Sequence, residues 1–331
     1  MTTSPVAPSP TAAALRIRSG WWLARAQSYG IVFVALALIA LVTVLQPEFI
    51  APGNIANILS QWAPVGVMAI GMTYVVITGG FDLSVGSIYA VSGVTAAALG
   101  STQAPVVAFL AAFAVGIAAG LVNGVVITVL KVNAFIATLG SSLVFSGIGL
   151  VITDNQPFVV DFPPFRILGA GRVAGIPYSG ILLVSLMLIA GAALAYTAYG
   201  QSVYAVGGNP EASRLAGLRV TWTPVSAYVI SGFCAALGGA ITTSQLSYAQ
   251  ANASSDLVFN VLTVVVVGGT SLAGGVGAIW RTAVGLAILA TLQNGFNLLH
   301  INSYYQGIIK GAIIIGALAL DGRLSLSRSR R

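Results

Sequence analysis

The chain has 331 residues, 57% of them hydrophobic and 6% charged, with a mean hydropathy of +0.95. Soluble domains carry about a quarter of their residues charged, so this composition excludes a soluble globular fold and makes lipid the solvent. The formal charge of +7 is spread thinly between apolar runs and at the chain ends, which gives no nucleic-acid patch, and a lone cysteine, Cys234, excludes an intrachain disulfide and reads as a small buried hydrophobe.

Residues 1–18, MTTSPVAPSPTAAALRIR, are rich in Pro, Ala, Ser and Thr, and a disordered cytoplasmic tail is expected over 1–28. The run at 29–46 has Arg16, Arg18 and Arg25 before it, as a signal peptide would. It is longer than the usual core of about 7–15 residues and lacks a nearby small-x-small cleavage site, so a retained span is expected. Further spans of about 20 apolar residues are placed near 57–78, 85–100, 105–130, 137–153, 179–199, 223–247, 257–270, 282–299 and 304–320. The expected fold is an all-α polytopic membrane bundle of about ten transmembrane helices, some broken at glycine-rich points. A single transmembrane domain would fill 29–320, and a basic cytoplasmic tail 321–331. The stretch 154–180 carries prolines and glycines and reads as an irregular surface loop. Asn252-Ala253-Ser254 matches a glycosylation sequon, a weak signal alone.

Basic residues fix an expected orientation. With the N-terminus in the cytoplasm, Arg166 and Arg172 fall outside, Lys310 lies within the last span, and the remaining basic residues fall inside. Both termini are then cytoplasmic.

The chain also echoes itself. VVITGGFDLSVGS (75–87) and VVVVGGTSLAGGV (264–276) align Gly79, Gly80, Leu83 and Gly86 with Gly268, Gly269, Leu272 and Gly275 at a constant offset of 189. Glycine costs about 1 kcal/mol in a helix interior, so this density needs a reason. Close helix packing is one. A pair of broken helices beside a translocation pathway is the other, and it makes Gly79, Gly80, Gly268 and Gly269 pathway candidates.

Few side chains offer chemistry. Neither lysine sits in a phosphate-binding loop, a single histidine cannot anchor a metal cluster or a triad on its own, and the acidic residues are scattered. No cofactor or metal is expected, and a membrane enzyme is disfavoured. Asp82 lies in the first glycine-rich break, where it either caps the next helix, faces water or borders a pathway. Lys310 either snorkels to the interface or lines a polar path. Gln293 and Asn297 share a helix face, with Asn294, Tyr305 and Gln306 nearby. Such a face either glues helices together or supplies a polyhydroxylated substrate with uncharged donors and acceptors.

One short segment, GGNPEASRLAGLRV (207–220), reads as a water-soluble helix between long apolar stretches. Asn209 is a good N-cap, Pro210 fits the first helical position, Glu211 complements the positive helix end, and Gly217 stops the helix. Glu211 and Arg214 are i,i+3 neighbours. A helix of about seven residues is marginal alone in water, so a packing partner is expected.

GGFDLSVGS, KVNAFIATLG (131–140), YAVGGNPEASRLAGLRV (204–220), VVVVGGTSLAGGVG (264–277) and LQNGFNLLHINSYYQGIIKG (292–311), in that order, resemble the permease subunit of ribose-type ABC sugar importers. The resemblance runs from about residue 55 to 320. It implies a bacterial inner-membrane protein that pairs with a second permease chain, is driven by two cytoplasmic ATPase subunits, and receives its sugar from a periplasmic binding protein. It also implies that the polar loop docks on the ATPase, a role that carries onto Asn209, Glu211, Ala212, Arg214 and Gly217. ATP hydrolysis would belong to another chain. Two other readings stay open: an ion-coupled secondary transporter, and an ABC permease for a non-sugar small polar solute.

Overall fold

The computed structural model describes residues 30–102, 104–252, 255–309, 311–313 and 315–316. The expected tails at 1–28 and 321–331, Lys310, and two residues of the sequon lie outside the described residues.

The chain forms helices α1 (Gly30–Leu45), α2 (Pro52–Ile77), α3 (Val85–Gly100), α4 (Pro105–Thr128), α5 (Ala134–Thr153), α6 (Ile167–Ala170), α7 (Tyr178–Tyr196), α8 (Ala198–Gly208), α9 (Pro210–Leu215), α10 (Trp222–Leu246), α11 (Ser255–Val267) and α12 (Ile279–Leu298). A last helix starts at 303. Over the described residues the apolar stretches seen in the sequence are mainly helical. Helices α2, α4, α5, α7 and α10 are each long and apolar enough to cross a membrane, whereas α1, α3 and α11 are shorter apolar helices. The architecture is an all-α polytopic membrane bundle.

Local chemistry sets the helix starts. Pro52 and Pro105 occupy first positions, where their missing N–H costs nothing. The Asn133 side chain caps α5 by accepting from the amides of Phe135 and Ile136. Pro64 lies inside α2 and frees the carbonyl of Ser60, four residues earlier. Gln245 of α10 repairs that break, its Nε2 donating to the Ser60 carbonyl at 2.9 Å.

Burial separates centre from periphery. The apolar windows of α2 and α10 are 67% and 72% buried, against 28%, 22% and 17% for α4, α7 and α5. Helix α10 is the hub and packs on α2, α3 and α4. The approach to α4 is close: a Cβ on Gly120 would collide with the Tyr228 carbonyl oxygen, and one on Gly116 with that of Gly232. Peripheral faces leave Leu143, Val151 and Leu188 exposed, as a lipid-facing surface requires.

The connection at 154–180 is largely exposed, as its composition suggests, and carries short strand pairings. Strand β1 (Phe158–Val159) pairs antiparallel with β4 (Tyr248–Ala249), and β2 (Arg172–Val173) pairs with β3 (Ile176–Pro177). Phe165 is fully buried against Phe109 at 4.9 Å between ring centroids. Ser244 of α10 donates to the Phe165 carbonyl at 2.6 Å and accepts from the Gly169 amide at 2.9 Å. The segment is a surface connection pinned to α10 at Phe165 and Gly169. Its proline and glycine content reports local turns, not this long-range anchor.

Candidate functional site

Helix α9 forms as its sequence dictates. The Asn209 side chain accepts from the Ala212 amide at 2.9 Å, Pro210 opens the helix, and Gly217 adopts a left-handed φ of +79° just past its end. Arg214 grips both carboxylate oxygens of Glu211, with Nη2 at 2.6 Å and Nε at 3.2 Å. Both side chains are about two-thirds exposed, so the pair adds little stability. It does fix two charges in a set geometry on the outer face of a six-residue helix. Leu215 beside them is 79% exposed. Only Ser213 faces inward.

The two glycine-rich breaks are matching helix stops. At the end of α2, Gly79 N–H donates to Val76 O and Gly80 N–H to Val75 O. At the end of α11, Gly269 N–H donates to Val266 O and Thr270 N–H to Val265 O. Gly79 and Gly269 carry φ values of +80° and +85°, a conformation that glycine reaches without the Cβ penalty. The backbone register of the repeat is thus 190, pairing Gly79 with Gly269 and Gly80 with Thr270. The offset of 189 read from the glycines is one residue short. Identical letters set that alignment, whereas the hydrogen bonds that end each helix set the physical one.

Asp82 is fully buried in the turn between α2 and α3. Its Oδ1 accepts from the Ser84 amide at 3.0 Å and from the Ser84 hydroxyl at 2.6 Å, while Oδ2 accepts from the Ser231 hydroxyl of α10 at 2.8 Å. Asn123 of α4 donates on to Ser84 Oγ at 2.7 Å. Tyr228 straddles the neighbouring residue, accepting from Phe81 N–H at 3.3 Å and donating to Phe81 O at 3.0 Å. Asp82 therefore takes up an amide at the entry to α3 and does not face water. The 78–84 turn is bolted to α10 and α4.

The second turn, 268–278, lies against the first. Gly275 N–H donates to the Ile77 carbonyl at 2.8 Å, satisfying one of the acceptors that a helix end leaves open. The end of α8 meets both: Tyr204 donates to the Gly277 carbonyl at 2.8 Å, and Gly207 approaches Ile77 backbone to backbone. Burial pushes the Tyr204 phenol above the usual tyrosine range, opposed by the positive charge of Arg281, so it remains a donor at neutral pH.

The other polar candidates sit elsewhere. Gln293 and Asn297 lie at the far end of α12, about 20 Å from Arg281 beside the glycine turn at 1.5 Å per residue. Gln293 donates to Gln306 at 2.6 Å and to Asn297 at 3.4 Å. Asn294 and Asn54 exchange two amide bonds at 2.9 and 3.0 Å, which ties α12 to α2. The predicted pathway residues therefore form two clusters, one at each end of α12. Sequence reasoning did not single out Tyr228, Ser231, Asn123, Tyr204 or Gly207. The last two stand within the quoted YAVGGNPEA segment, where a glycine pair next to a helix cap was a usable signal. For the others the partners are too distant along the chain for any local pattern to mark them.

A multi-pass helical membrane protein with paired glycine turns and an exposed charged helix is the class these features define. Residues 54–318 match the family described as "Branched-chain amino acid transport system / permease component", and the chain belongs to it. It is 40% identical to the ribose import permease protein RbsC of Bacillus subtilis, over 87% of this chain and 90% of that one. It is likewise 40% identical to the RbsC protein of Escherichia coli K12, over 91% and 95%. It is 35% identical to the L-arabinose ABC transporter permease protein AraH of Azospirillum brasilense, over 95% and 93%. No solved structure matches the chain.

Proposed function

We propose that this chain is the membrane-spanning permease subunit of an ATP-driven importer that moves a monosaccharide, a ribose- or xylose-like pentose or a hexose, across a bacterial inner membrane. The observation that carries the reading is near-full-length similarity to permeases named for ribose and L-arabinose. The broader family description names branched-chain amino acids, and a non-sugar solute is the competing substrate class. The amides of Gln293 and Asn297 favour a hydroxyl-rich solute, since they offer donors and acceptors without a charge.

ATP hydrolysis falls to separate cytoplasmic subunits, and α9 is the element that docks on them through Asn209, Glu211, Ala212, Arg214 and Gly217. A second permease chain completes the pore, and a periplasmic binding protein delivers the sugar. Both termini are cytoplasmic, which puts α9 on the ATPase side and the 154–180 connection outside. The translocation pathway runs past the glycine turns and the polar face of α12, by Gly79, Gly80, Gly268, Gly269, Gln293 and Asn297. Asp82 borders it as a fixed acceptor that shapes the turn, because its carboxylate is enclosed on all sides.

The test is uptake of radiolabelled D-ribose, L-arabinose, D-allose and L-leucine into proteoliposomes holding the permease, its ATPase and its binding protein. Import of at least one sugar is expected, with ATP required and collapse of ion gradients without effect. Uptake by the permease alone under a proton or sodium gradient would overturn the reading, and import of leucine only would replace the substrate class.

A further inference from the structure

Helix α8 ends where three backbone segments meet. A Cβ on Gly207 would collide with the Ile77 carbonyl oxygen and come within 2.9 Å of the Gly275 nitrogen. One on Gly275 would lie 2.8 Å from Gly208 Cα, and one on Gly274 would lie 2.7 Å from the Gly207 oxygen and 3.0 Å from Gly79 Cα. The last turn of α8, the end of α2 and the 268–278 turn therefore touch with no side chain between them. Tyr204, one helical turn before Gly207, adds its bond to the Gly277 carbonyl. Asn209 alone separates α8 from α9.

The two glycine turns are anchored unequally. The first is held by Tyr228 and Ser231 of α10 and, through Ser84, by Asn123 of α4. The second leaves the buried Thr270 hydroxyl without a hydrogen bond among the described residues. Its ties to other elements include the Tyr204 bond, the Gly275–Ile77 bond and a long contact from Arg281 to the Gly269 carbonyl. One side of the contact is fixed to the hub, and the other touches α8 and the end of α2 while packing backbone to backbone on α12, where a Cβ on Gly268 would collide with the Arg281 carbonyl oxygen.

We propose that this contact is the joint through which movement of α9 reaches the pathway, with Tyr204 as the positioning residue that makes the 268–278 turn follow α8. The inference rests on the reading of α9 as the ATPase-coupling element. Backbone-to-backbone contact suits the task because it has no rotamers with which to absorb a displacement, and packed interfaces switch between discrete arrangements where soft ones deform. A shift of α8 would slide the second turn, and with it the start of α12, against an α2–α10 body held still by Asp82 and Tyr228.

The experiment compares wild type, Tyr204→Phe, Gly207→Ala and the double change Glu211→Ala with Arg214→Ala in the full complex with ATPase and binding protein. Three quantities are read: co-purification of the ATPase, basal ATP hydrolysis, and sugar imported per ATP with radiolabelled D-ribose, L-arabinose and D-allose supplied together. Tyr204→Phe keeps its ring in place and should retain assembly and basal hydrolysis while sugar per ATP falls about three- to tenfold. Gly207→Ala should fall further, and Tyr204→Phe carries the test if that variant fails to insert. Wild-type sugar per ATP in Tyr204→Phe, while the α9 double variant uncouples, overturns the joint and leaves the coupling role of α9 standing. Loss of assembly or basal hydrolysis in Tyr204→Phe also overturns it, because the residue is then a fold element. Wild-type behaviour of the α9 double variant overturns the coupling reading beneath it. Absence of import of all three sugars by the wild-type complex overturns the sugar-importer reading together with the joint.

Discussion

Ser231 on α10 donates its hydroxyl to Asp82 Oδ2 at 2.8 Å, across 149 residues of sequence. With Ser84 filling Oδ1, the carboxylate accepts three hydrogen bonds in a site closed to water. A buried group stripped of its partner costs about 1–3 kcal/mol. Asp82→Ala orphans donors on both serines, whereas Ser231→Ala removes one bond. Thermal unfolding of the purified permease in detergent should therefore show Asp82→Ala well below wild type, with Ser231→Ala between them. Equal midpoints for Asp82→Ala and wild type would remove Asp82 from the framework.

The register of the glycine repeat can be checked by substitution. An L-residue at a left-handed φ costs about 1–2 kcal/mol, so Gly79→Ala and Gly269→Ala should lose similar amounts. At Gly80 the obstacle is different in kind, because an added Cβ would meet the Tyr228 hydroxyl at 2.7 Å. Gly80→Leu should therefore displace Tyr228 and cut transport per inserted molecule sharply. If Gly80→Ala and Gly269→Ala behaved as the matched pair instead, the register of 189 would stand.

Much of this architecture is legible in the sequence. Over the described residues the apolar stretches are mainly helices because lipid demands that the backbone satisfy itself locally. The ends of α9 were readable because Asn209, Pro210 and Gly217 act within a few residues of where they stand. What could not be read depends on contacts between distant segments. The choice between water and burial for Asp82 needs Ser231. The packing of Phe165 needs Ser244 and Phe109. The repeat was visible as glycines, but its true register lies in hydrogen bonds donated to the carbonyls of Val75, Val76, Val265 and Val266, where Thr270 replaces a glycine.

The polar face of α12 separates gluing from substrate contact within neighbouring residues. Asn294→Ala breaks the reciprocal pair with Asn54 and should lower stability by about 1 kcal/mol or more, with little change in the KM for import. Gln293→Ala and Asn297→Ala, proposed for the pathway, should raise KM or lower the import rate with smaller losses of stability. Those assignments exchange if the KM effect follows Asn294.

The proposed orientation rests on the positive-inside rule. Reporters active only in the cytoplasm, fused after Lys131 and Gln201, should be active, and those fused after Gln156 and Ala251 silent. Activity after Gln156 would reverse the assignment of the 154–180 connection and require a different path for the first half of the chain.

An ATPase that drives this chain through α9 must lose its grip when the charged face of that helix is removed. The Glu211–Arg214 pair is exposed and remote from the apolar core, so Glu211→Ala combined with Arg214→Ala should leave insertion and the folded bundle intact. The decisive measurement is stimulation of ATP hydrolysis by sugar-loaded binding protein in proteoliposomes, read alongside co-purification of the ATPase. A severalfold loss of stimulation, or loss of the ATPase from the complex, is the predicted result. Stimulation and co-purification both at the wild-type level would contradict the account and move the contact to other loops, with Val132–Phe135 and Gly274–Arg281 next in line.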